Sequence, residues 1–419
     1  MKTIVLDDDP TGTQSATGVT VLLESSADLL AEALGRADSV YVQTNSRALP
    51  EAEAVALTRR IRADGEAAAE RLGVDVRFVL RGDSTLRGHV FAETEVFLDG
   101  DAIMLFVPAF PDGGRTTRDG VHHVRVAGVD VPAHESEYAD DPVFGFTTGV
   151  MLDYLAEKSP RAARTVGLDE VRAGGLADVL AAATPGTVIA PDAATAEDIS
   201  AIARAVEAAT AAGADIVVRS AAPLAAELAG VASRGLLETP LVAEPGPVLL
   251  VCGSHTAGAT AQLEPVVAAW GAASVIDTAA ALADAVAAGH AAAAAAHARL
   301  DAGPLAIVTT ERERSATHNT LDHGERVMRA LTTAVRDLLP EVSVVVSKGG
   351  ITSAEVARTG IGATSAVVLG QVVPGVSVWS LRAHDGREIL YVVVPGNVGD
   401  PDTLTTVLDA LSLRAPVSA

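Results

Sequence analysis

The chain has 419 residues, of which 49% are hydrophobic and only 3% aromatic, and its formal net charge is −23. A chain of this length exceeds one ordinary core and predicts two domains. The excess of acidic residues argues against a nucleic-acid partner, which would need clustered lysines and arginines. Without a signal-peptide pattern or an apolar stretch of membrane-spanning length, the sequence predicts a cytoplasmic protein with no membrane partner.

Short apolar runs alternate with helical stretches along the whole chain, which predicts an α/β fold. Because aromatic residues are scarce, the cores must consist of Ala, Val, Leu and Ile, and such cores suit parallel strands covered by alanine-rich helices. We therefore expect two doubly wound domains with mainly parallel sheets. The predicted strands are residues 3–6, 20–23, 40–42, 77–80, 102–107, 187–190 and 216–218 in a first series, and residues 248–252, 305–309, 343–346 and 391–394 in a second.

Three longer segments complete the predicted organisation. Residues 238–247 hold three prolines and one glycine, which is typical of a linker, so we expect a first domain over residues 1–243 and a second over 244–419. Residues 279–300 are rich in alanine and predict a long helix. Residues 121–149 are rich in Gly, Pro, His and acids without a clear period, and they predict an irregular loop region.

The first predicted strand runs directly into three carboxylates, Asp7, Asp8 and Asp9, and then into a turn with Thr11 and Gly12, two candidate substrate-binding residues. In open α/β sheets the loops at the carboxyl ends of the strands hold ligands. Three adjacent acids repel one another, so a positive partner is expected: Mg²⁺, an arginine, or the proton of a substrate hydroxyl. The alternative is a solvated turn in which one aspartate caps the next helix, but capping needs only a single acid.

Arginine-bearing loops follow three further predicted strands of the first series. Arginine binds carboxylates through its planar fork, while Asp, Ser and Thr at a strand end can bind vicinal hydroxyls, so the loops suit a small polyhydroxy acid. An Arg–Asp surface network around a helix cap is the alternative. The candidate substrate-binding residues in these loops are Arg47, Arg81, Asp83, Ser84, Arg87 and Arg115.

Three glycine-bearing turns of strand–loop–helix type lie in the second predicted domain. Glycine lets backbone N–H groups approach phosphate oxygens, and the following helix N-terminus favours an anion. Ala259 stands where a Walker motif requires lysine, which argues against a P-loop NTPase. Each turn alone could be an ordinary αβ connection. The candidate nucleotide-binding residues are Gly253, Ser254, Lys348, Gly349, Gly350, Ile351, Thr352, Gly396, Asn397 and Gly399.

Taken together and in this order, these clusters resemble the four-carbon acid sugar kinase family, ATP-dependent kinases of threonate, erythronate and 3-oxo-tetronate type. Residues 8–12 are similar to the family's Asp-Asp-x-Thr-Gly opening, residues 81–88 to its Lys-x-Asp-Ser-Thr-x-Arg-Gly motif, and residues 108–117 to its proline- and arginine-bearing loop. The three glycine turns are similar to the family's ATP-contacting turns. The resemblance implies an N-terminal sugar-acid domain, a C-terminal nucleotide domain and an interdomain cleft.

The chain departs from the family pattern at three places. Asp7 is an extra acid, Arg81 replaces a lysine, and Val394-Pro395 replaces a Lys-Ser pair. These departures bear on which sugar acid is used. Lys348 is our candidate for the missing positive charge near the phosphates.

The predicted activity is ATP-dependent phosphorylation of a hydroxyl of a small, four-carbon sugar acid, with ATP and Mg²⁺ as cofactors. Arg81, Arg87 and Arg115 would hold the carboxylate and hydroxyls of the substrate. Asp8 or Asp9 would accept the hydroxyl proton or help to position Mg²⁺. Cores that lack bulky rings are also compatible with a homodimer.

Two alternatives stay open at this point. The pattern Asp7-x-Asp9-x-Thr11 satisfies the opening of haloacid dehalogenase-like phosphatases, in which Asp7 would be the nucleophile and Asp9 the acid/base. A non-catalytic sugar-acid sensor would keep the pocket without phosphotransfer. Hydrolysis of a chromogenic phosphate monoester without ATP would identify the phosphatase, and tetronate binding without ADP formation would identify the sensor.

Overall fold

The computed structural model describes residues 1–126, 128–233, 235–244, 246–312, 321–396 and 398–415. The chain separates into two compact units, Met1–Ala232 and Ser233–Ala419. The predicted domain boundary after residue 243 stays a prediction. Among the described residues no helix combines the length and the apolar character that crossing a bilayer requires.

The first unit is built on parallel strands. Its strands are β1 Lys2–Asp7, β2 Thr20–Leu22, β3 Ser39–Gln43, β4 Val76–Arg81, β5 Ile103–Val107, β6 Arg115–Arg118, β7 Val121–Val126, β8 Val129–Pro132, β9 Ala163–Val166, β10 Val188–Pro191 and β11 Ile216–Ser220. The order β2, β3, β1, β4, β11, β5, β10, β9 runs side by side, and every pair in it is parallel. The α/β prediction with a mainly parallel sheet is confirmed for this unit.

The helices of the first unit begin and end at residues with clear local causes. They are α1 Ala27–Arg36, α2 Glu51–Leu72, α3 Val90–Thr94, α4 Met151–Lys158, α5 Leu168–Arg172, α6 Leu176–Ala181, α7 Ala196–Ala211 and α8 Ala222–Leu228. Ser26 caps α1, and Gly73 ends α2 in the left-handed conformation. A capping box between Thr195 and Asp198 begins α7. Aliphatic side chains of β1, β3 and β4 pack against α1 and α2 and form the core beneath the first strands.

The segment 121–149 is not purely an irregular loop, and that expectation is wrong in part. Strands β6, β7 and β8 form a small antiparallel sheet. Arg125 Nε lies 2.8 Å from Asp130 Oδ1 across the β7–β8 hairpin. The strands escaped sequence analysis because charged pairs and two histidines, rather than a run of apolar residues, line them.

The second unit repeats the parallel pattern and adds antiparallel strands. Its strands are β12 Val248–Cys252, β13 Ser274–Ile276, β14 Leu305–Thr310, β15 Val344–Lys348, β16 Ser365–Val373, β17 Val376–Arg382 and β18 Glu388–Val394. They pair in the order β13, β14, β12, β15, β18, β17, β16, and β17 is antiparallel to both of its neighbours. The prediction of a mainly parallel sheet is therefore confirmed for this unit as well.

The helices of the second unit cover the strands with small apolar side chains. They are α9 Ala257–Trp270, α10 Thr278–Ala283, α11 Ala285–Leu300, α12 Leu321–Leu338, α13 Gly350–Glu355 and α14 Thr403–Ala410. The predicted single helix over residues 279–300 is divided, because the side chain of Asp284 accepts from the N–H groups of Val286 and Ala287 and caps α11.

In both units the strand order reverses at the strand that comes first in the sequence of that unit, so later parallel strands lie on both sides of it. In the first unit β3 lies on one side of β1 and β4 on the other. In the second unit β14 and β15 flank β12 in the same way. Loops that leave neighbouring parallel strands at such a reversal diverge and leave a crevice, which is where open α/β sheets bind ligands. The candidate residues Asp8, Arg47 and Arg87 lie on such loops of the first unit, and Gly253 and Gly349 lie on those of the second.

Candidate functional site

The three aspartates that follow β1 are buried and surrounded by guanidinium groups. The residues Asp7, Asp8 and Asp9 are 0%, 2% and 7% exposed. Arg81 Nη1 lies 3.1 Å from Asp7 Oδ1 and 3.2 Å from Asp8 Oδ1, and it donates to the backbone oxygen of Asp9 at 3.1 Å. Of the positive partners left open by the sequence, arginine is the one that the structure places here.

Arg47 joins three loops of the first unit. It follows β3 in a short 3-10 turn that begins after Asn45, a residue in the left-handed conformation. Its guanidinium forms an ion pair with Asp9, and its Nε lies 3.4 Å from Asp8 Oδ2. Its Nη1 lies 3.8 Å from Asp83 Oδ1 on the loop after β4. Arg47, on the loop after β3, therefore binds carboxylates on the loops after β1 and β4.

Asp9 also fixes the turn that follows it. Its Oδ1 accepts from the N–H of Thr11 at 2.8 Å and caps the 3-10 turn Pro10–Ser15. Gly12 lies so close to Asp7 that a Cβ at this position would overlap the carboxyl group. Thr11 and Gly12 thus shape the turn around the aspartates, and their part in substrate binding stays a prediction.

The loop after β4 carries a second ion-pair network. Arg87 Nε lies 2.9 Å from Asp83 Oδ2 and 3.0 Å from Thr85 Oγ1. The guanidinium of Arg87 lies over the ring of Tyr138, 4.9 Å from its centroid, and its Nη1 lies 3.6 Å from Asp141 Oδ2. Arg87 is the most exposed of the arginines paired with these aspartates, with 22% of its side chain accessible.

Two side chains outside the loop hold its backbone. His122 Nε2 lies 2.9 Å from the backbone oxygen of Ser84, and Tyr154 donates its hydroxyl to the backbone oxygen of Leu86 at 2.9 Å. Leu86 has a φ of +68°, a conformation that costs a non-glycine residue free energy unless its surroundings impose it. The loop that carries Ser84 and Arg87 is therefore held in one shape.

Burial and the arginines act in opposite directions on the aspartates. Burial raises the pKa of Asp7 to about 7 against the influence of Arg81, and it also raises the pKa of Asp8. Burial would raise the pKa of Asp9 as well, but Arg47, Arg81 and the hydrogen bond from Thr11 outweigh it, so that pKa lies below its usual value. Asp9 is thus held as a carboxylate.

Three further charged residues of the first unit are buried: Arg115, Arg219 and Glu93. Arg115 is buried on β6 and donates to the backbone oxygen of Gly113. Sequence reasoning missed Arg219 on β11 and Glu93 on α3, whose side chains form a buried ion pair behind Asp8. A charged residue inside the apolar strand Ile216–Ser220 was the available signal, since a buried arginine needs an acidic partner.

The aspartate cluster does not fit a divalent cation. Guanidinium groups already contact the carboxylates of Asp8 and Asp9, and added positive charge would be repelled by them. Within the described ranges no group of three His, Cys, Asp or Glu side chains is arranged to hold a metal ion.

The three glycine turns of the second unit converge. Thr256 Oγ1 donates to the backbone oxygen of Gly396 at 2.9 Å. A Cβ at Gly349 would stand 3.0 Å from Ser254 Cβ, and one at Gly396 would stand 3.0 Å from Ser254 Oγ. Such approaches are tighter than most Cβ contacts in proteins, and Gly349 also has a φ of +115°, a conformation that favours glycine. The turns after β12, β15 and β18 therefore form one cluster, and its binding of phosphate stays a prediction.

Lys348 lies beneath these turns and is wholly buried. Its ammonium group donates to the backbone oxygen of Pro395 at 2.6 Å, and burial lowers its pKa to about 8. Lys348 thus ties the end of β15 to the turn after β18. A direct contact of Lys348 with a phosphate stays a prediction.

Sequence reasoning missed Arg312, which follows β14. Its guanidinium donates to the backbone oxygens of Ser254, Cys252 and Thr310 at 2.6, 3.1 and 2.9 Å. These bonds fix the turn after β12 from a neighbouring strand end. Its place directly after a predicted strand was the only signal in the sequence.

The remaining nucleotide candidates differ in exposure. Thr352 is buried with its hydroxyl against Gly253, whereas Ile351 is 47% exposed. Gly350 begins α13, and Gly399 has a φ of +89°. Asn397 lies outside the described residues.

Comparison with known families finds one matching domain model in each of the two compact units. Residues 3–228 match the model of a sugar-binding N-terminal domain, and residues 249–404 match that of a nucleotide-binding C-terminal domain. A D-threonate kinase of Bordetella bronchiseptica is 30% identical over 389 residues, which cover 91% of this chain and 88% of the relative. A D-threonate kinase of Salmonella typhimurium is also 30% identical, over 67% of this chain and 64% of the relative.

A solved structure shares the fold. The Haemophilus influenzae protein HI1011 superimposes with a TM-score of 0.62, covering 97% of this chain and 99% of its own, at 19% sequence identity. At this identity the likeness concerns architecture alone, and it agrees with two α/β units built on mostly parallel strands.

Proposed function

The chain belongs to the four-carbon acid sugar kinase family, and from this premise we propose that it is an ATP-dependent kinase that phosphorylates a hydroxyl of a four-carbon sugar acid. The observation that carries the proposal is the pair of clusters at the two strand-order reversals, one of arginines and aspartates and one of glycine turns. The Bordetella relative supports it, because its alignment spans most of both units. D-threonate is therefore the first substrate to test.

The sugar acid is proposed to bind beside the loop after β4. Arg87 keeps 22% of its side chain accessible while Asp83 orients its Nε, so its guanidinium suits a substrate carboxylate. Ser84 on the same loop offers a hydroxyl, and Arg115 adds positive charge from β6. Arg81 is instead assigned to balancing Asp7 and Asp8, since it is buried between them.

Asp9 is proposed as the acceptor of the substrate's hydroxyl proton. Asp8 is less suited, because the guanidinium groups of Arg81, Arg47 and Arg219 all contact its carboxylate, whereas among the described residues Arg47 is the one arginine paired with the carboxylate of Asp9. Asp9 is more exposed and is kept deprotonated by its arginines. Phosphoryl transfer has a loose transition state in which positioning and charge matter most, so a carboxylate of low pKa suffices as the acceptor.

The glycine turns of the second unit are proposed to hold the triphosphate of ATP. The backbone N–H of Gly350 at the start of α13 and the hydroxyl of Ser254 supply donors for phosphate oxygens, while the Gly349 N–H and the Thr256 hydroxyl bond the backbone oxygens of Val394 and Gly396 and hold the turns in place. Mg²⁺ bound to ATP would neutralise charge on the β- and γ-phosphates. The transfer requires the γ-phosphate held by these turns to reach the hydroxyl held by the first unit.

The phosphatase alternative is disfavoured by the surroundings of Asp7. A nucleophile must meet a phosphorus atom, but Asp7 is wholly buried and Gly12 packs against its carboxyl group. The sensor alternative makes a different prediction, namely binding of a tetronate without formation of ADP.

A panel of four-carbon sugar acids with ATP and Mg²⁺, assayed for ADP release, tests the proposed function. We expect ADP release that depends on D-threonate or a close relative of it and is absent with the acid omitted. Binding of a tetronate without ADP release would support the sensor instead, and hydrolysis of a chromogenic phosphate monoester without ATP would support the phosphatase.

A further inference from the structure

An ion pair lies fully buried behind Asp8 and has no place in the mechanism so far. Arg219 Nη1 lies 2.6 Å from Glu93 Oε2, and Arg219 Nη2 lies 3.3 Å from Asp8 Oδ2. The side chains of Arg219 and Glu93 are 2% and 4% exposed. The arginine thus connects a helix residue on one side with an aspartate of the candidate site on the other.

The loop after β4 is shaped around this arginine. A Cβ at Gly82 would stand 2.6 Å from Arg219 Nε, and one at Gly88 would stand 3.5 Å from its Nη2. Gly82 and Gly88 flank the segment that carries Ser84 and Arg87. A side chain at Gly82 would therefore displace the guanidinium and the loop relative to each other.

Stability alone gives no reason for this pair. Removing two charges from water costs several kcal/mol per ion, and apolar residues of similar volume often serve a fold equally well or better. The surrounding strands of the first unit are rich in aliphatic side chains that could pack against such a replacement. A buried pair that contacts a site carboxylate is better explained by what it does to that carboxylate.

We propose that Arg219, held by Glu93, is a positioning residue that fixes Asp8 and, through Arg47, the proton acceptor Asp9. Both Arg219 Nη2 and Arg47 Nε contact Asp8 Oδ2, at 3.3 and 3.4 Å, and Arg47 also pairs with Asp9. The chain of contacts from Glu93 to Asp9 thus alternates in charge at every step. This inference rests on the proposed kinase function.

The consequence is a selective loss of turnover. If the chain of contacts is cut at Arg219, Asp8 loses one of its three guanidinium partners, and Arg47 shifts with it. A displacement of about 1 Å at reacting groups costs roughly 100-fold in rate. ATP binds to residues of the second unit in the proposed function, so the KM for ATP should not change.

The double variant Arg219→Met/Glu93→Leu tests the inference, because it removes both charges and leaves neither ion without a partner. We expect kcat with D-threonate to fall roughly 10- to 100-fold, while the urea midpoint stays at or above that of the wild type and the KM for ATP stays unchanged. Arg219→Lys, which keeps the charge, should recover part of the lost kcat.

The matched control is Arg172→Met. Arg172 forms an ion pair with the buried Asp198, at 2.8 Å, in the same unit, and it contacts none of the site aspartates. We expect its kcat to equal that of the wild type.

The outcomes separate the two proposals. A double variant with wild-type kcat would overturn the positioning role, and so would a loss of activity that follows the loss of folded protein in both the double and the lysine variants. If the wild type itself released no ADP with any sugar acid in the same assay, the proposed function would fall, and the positioning role with it.

Discussion

The two units place their candidate sites beside equivalent reversals of strand order, but they form them from different residues. Charged side chains form the first site, and glycine turns form the second. In the first unit, charged side chains such as Arg47, Arg81 and Asp8 fill the strand ends and neutralise one another. In the second unit, the turns approach so closely that a Cβ at Gly349 or Gly396 would crowd Ser254. A doubly wound sheet thus sets where a ligand binds, whereas the loop residues set whether charge or close backbone approach does the binding.

This difference predicts different responses to substitution. Changes in the first unit should alter charge, so their effects should appear in proton transfer and in the pH dependence of stability. Changes in the second unit should alter the fit of the backbone, so their effects should appear in the KM for ATP. The following four experiments test that division.

The largest effect is expected for Asp9→Asn. The variant keeps the shape of the side chain but removes the proposed proton acceptor, so kcat with D-threonate should fall roughly 100- to 10,000-fold. ADP release measures it, and unfolding by urea should show that the fold is retained. Asp38→Asn is the matched control, because Asp38 lies exposed at the opposite end of the strands. Equal activity in both variants would remove Asp9 from the mechanism.

Asp7→Asn should change the pH dependence of stability. The folded-state pKa of Asp7 is about 7 against 3.8 for the free group, so the folded protein binds a proton that the unfolded chain has released. The stabilisation by this proton is present below pH 3.8 and is lost as the pH rises through 7, which amounts to about 4 kcal/mol. Asparagine does not titrate.

Urea unfolding between pH 4 and pH 8 measures the Asp7 effect. The free energy of unfolding of Asp7→Asn minus that of the wild type should increase by about 4 kcal/mol across this range. A difference that stays constant with pH would show that Asp7 is charged throughout and that its arginine partner, not its burial, dominates.

His122→Asn should have an effect of the opposite sign. Burial lowers the pKa of His122 to about 4 from 6.5, so the folded protein holds this histidine neutral while the unfolded chain protonates it. Its stabilisation is present above pH 6.5 and is lost as the pH falls through 4, by about 3 kcal/mol. The advantage of the wild type over His122→Asn should therefore shrink from pH 7 to pH 4.

Tyr154→Phe is the control for His122, since Tyr154 holds the same loop through a hydroxyl that does not titrate in this range. Its loss of stability should be about 1 kcal/mol at every pH between 4 and 7. A parallel response of the two variants would contradict the assignment of the pH effect to His122.

Gly349→Ala should give the smallest effect and should act on ATP alone. The φ of +115° and the 3.0 Å approach to Ser254 Cβ impose about 1 to 3 kcal/mol on any Cβ, which is roughly a 5- to 150-fold loss in kcat/KM for ATP. The affinity for D-threonate, measured by calorimetry, should not change. Gly303→Ala in the same unit, where a Cβ meets open space, is the control.

Much of this architecture could be predicted from local sequence. The apolar runs at β1, β4 and β12 coincide with strands to within a residue or two, because buried parallel strands are apolar on both faces. The site loops were found because polar residues follow those runs directly. Strand β17 was missed, although apolar and polar residues largely alternate along it, and its antiparallel pairing with both neighbours could not be predicted, because a strand's own sequence gives no signal of its partner.

The contacts that organise the two sites could not be predicted. Arg219 meets Asp8 across 211 positions of sequence and Glu93 across 126, and neither separation leaves a periodic pattern. Arg312 was missed for the same reason, because its role depends on where the turn after β12 lies. Local sequence predicts which side chains stand at the strand ends, but their pairing depends on strand order.

The most direct test of the central claim follows the γ-phosphate. The protein is incubated with D-threonate, Mg²⁺ and ATP labelled in the γ-phosphate, and the products are separated and identified by mass spectrometry. We expect the label to appear on the four-carbon acid in an amount equal to the ADP formed, and Asp9→Asn should slow this transfer as strongly as it slows ADP release. Recovery of the label only as inorganic phosphate, or its retention in ATP with every four-carbon acid tested, would contradict the proposed kinase function.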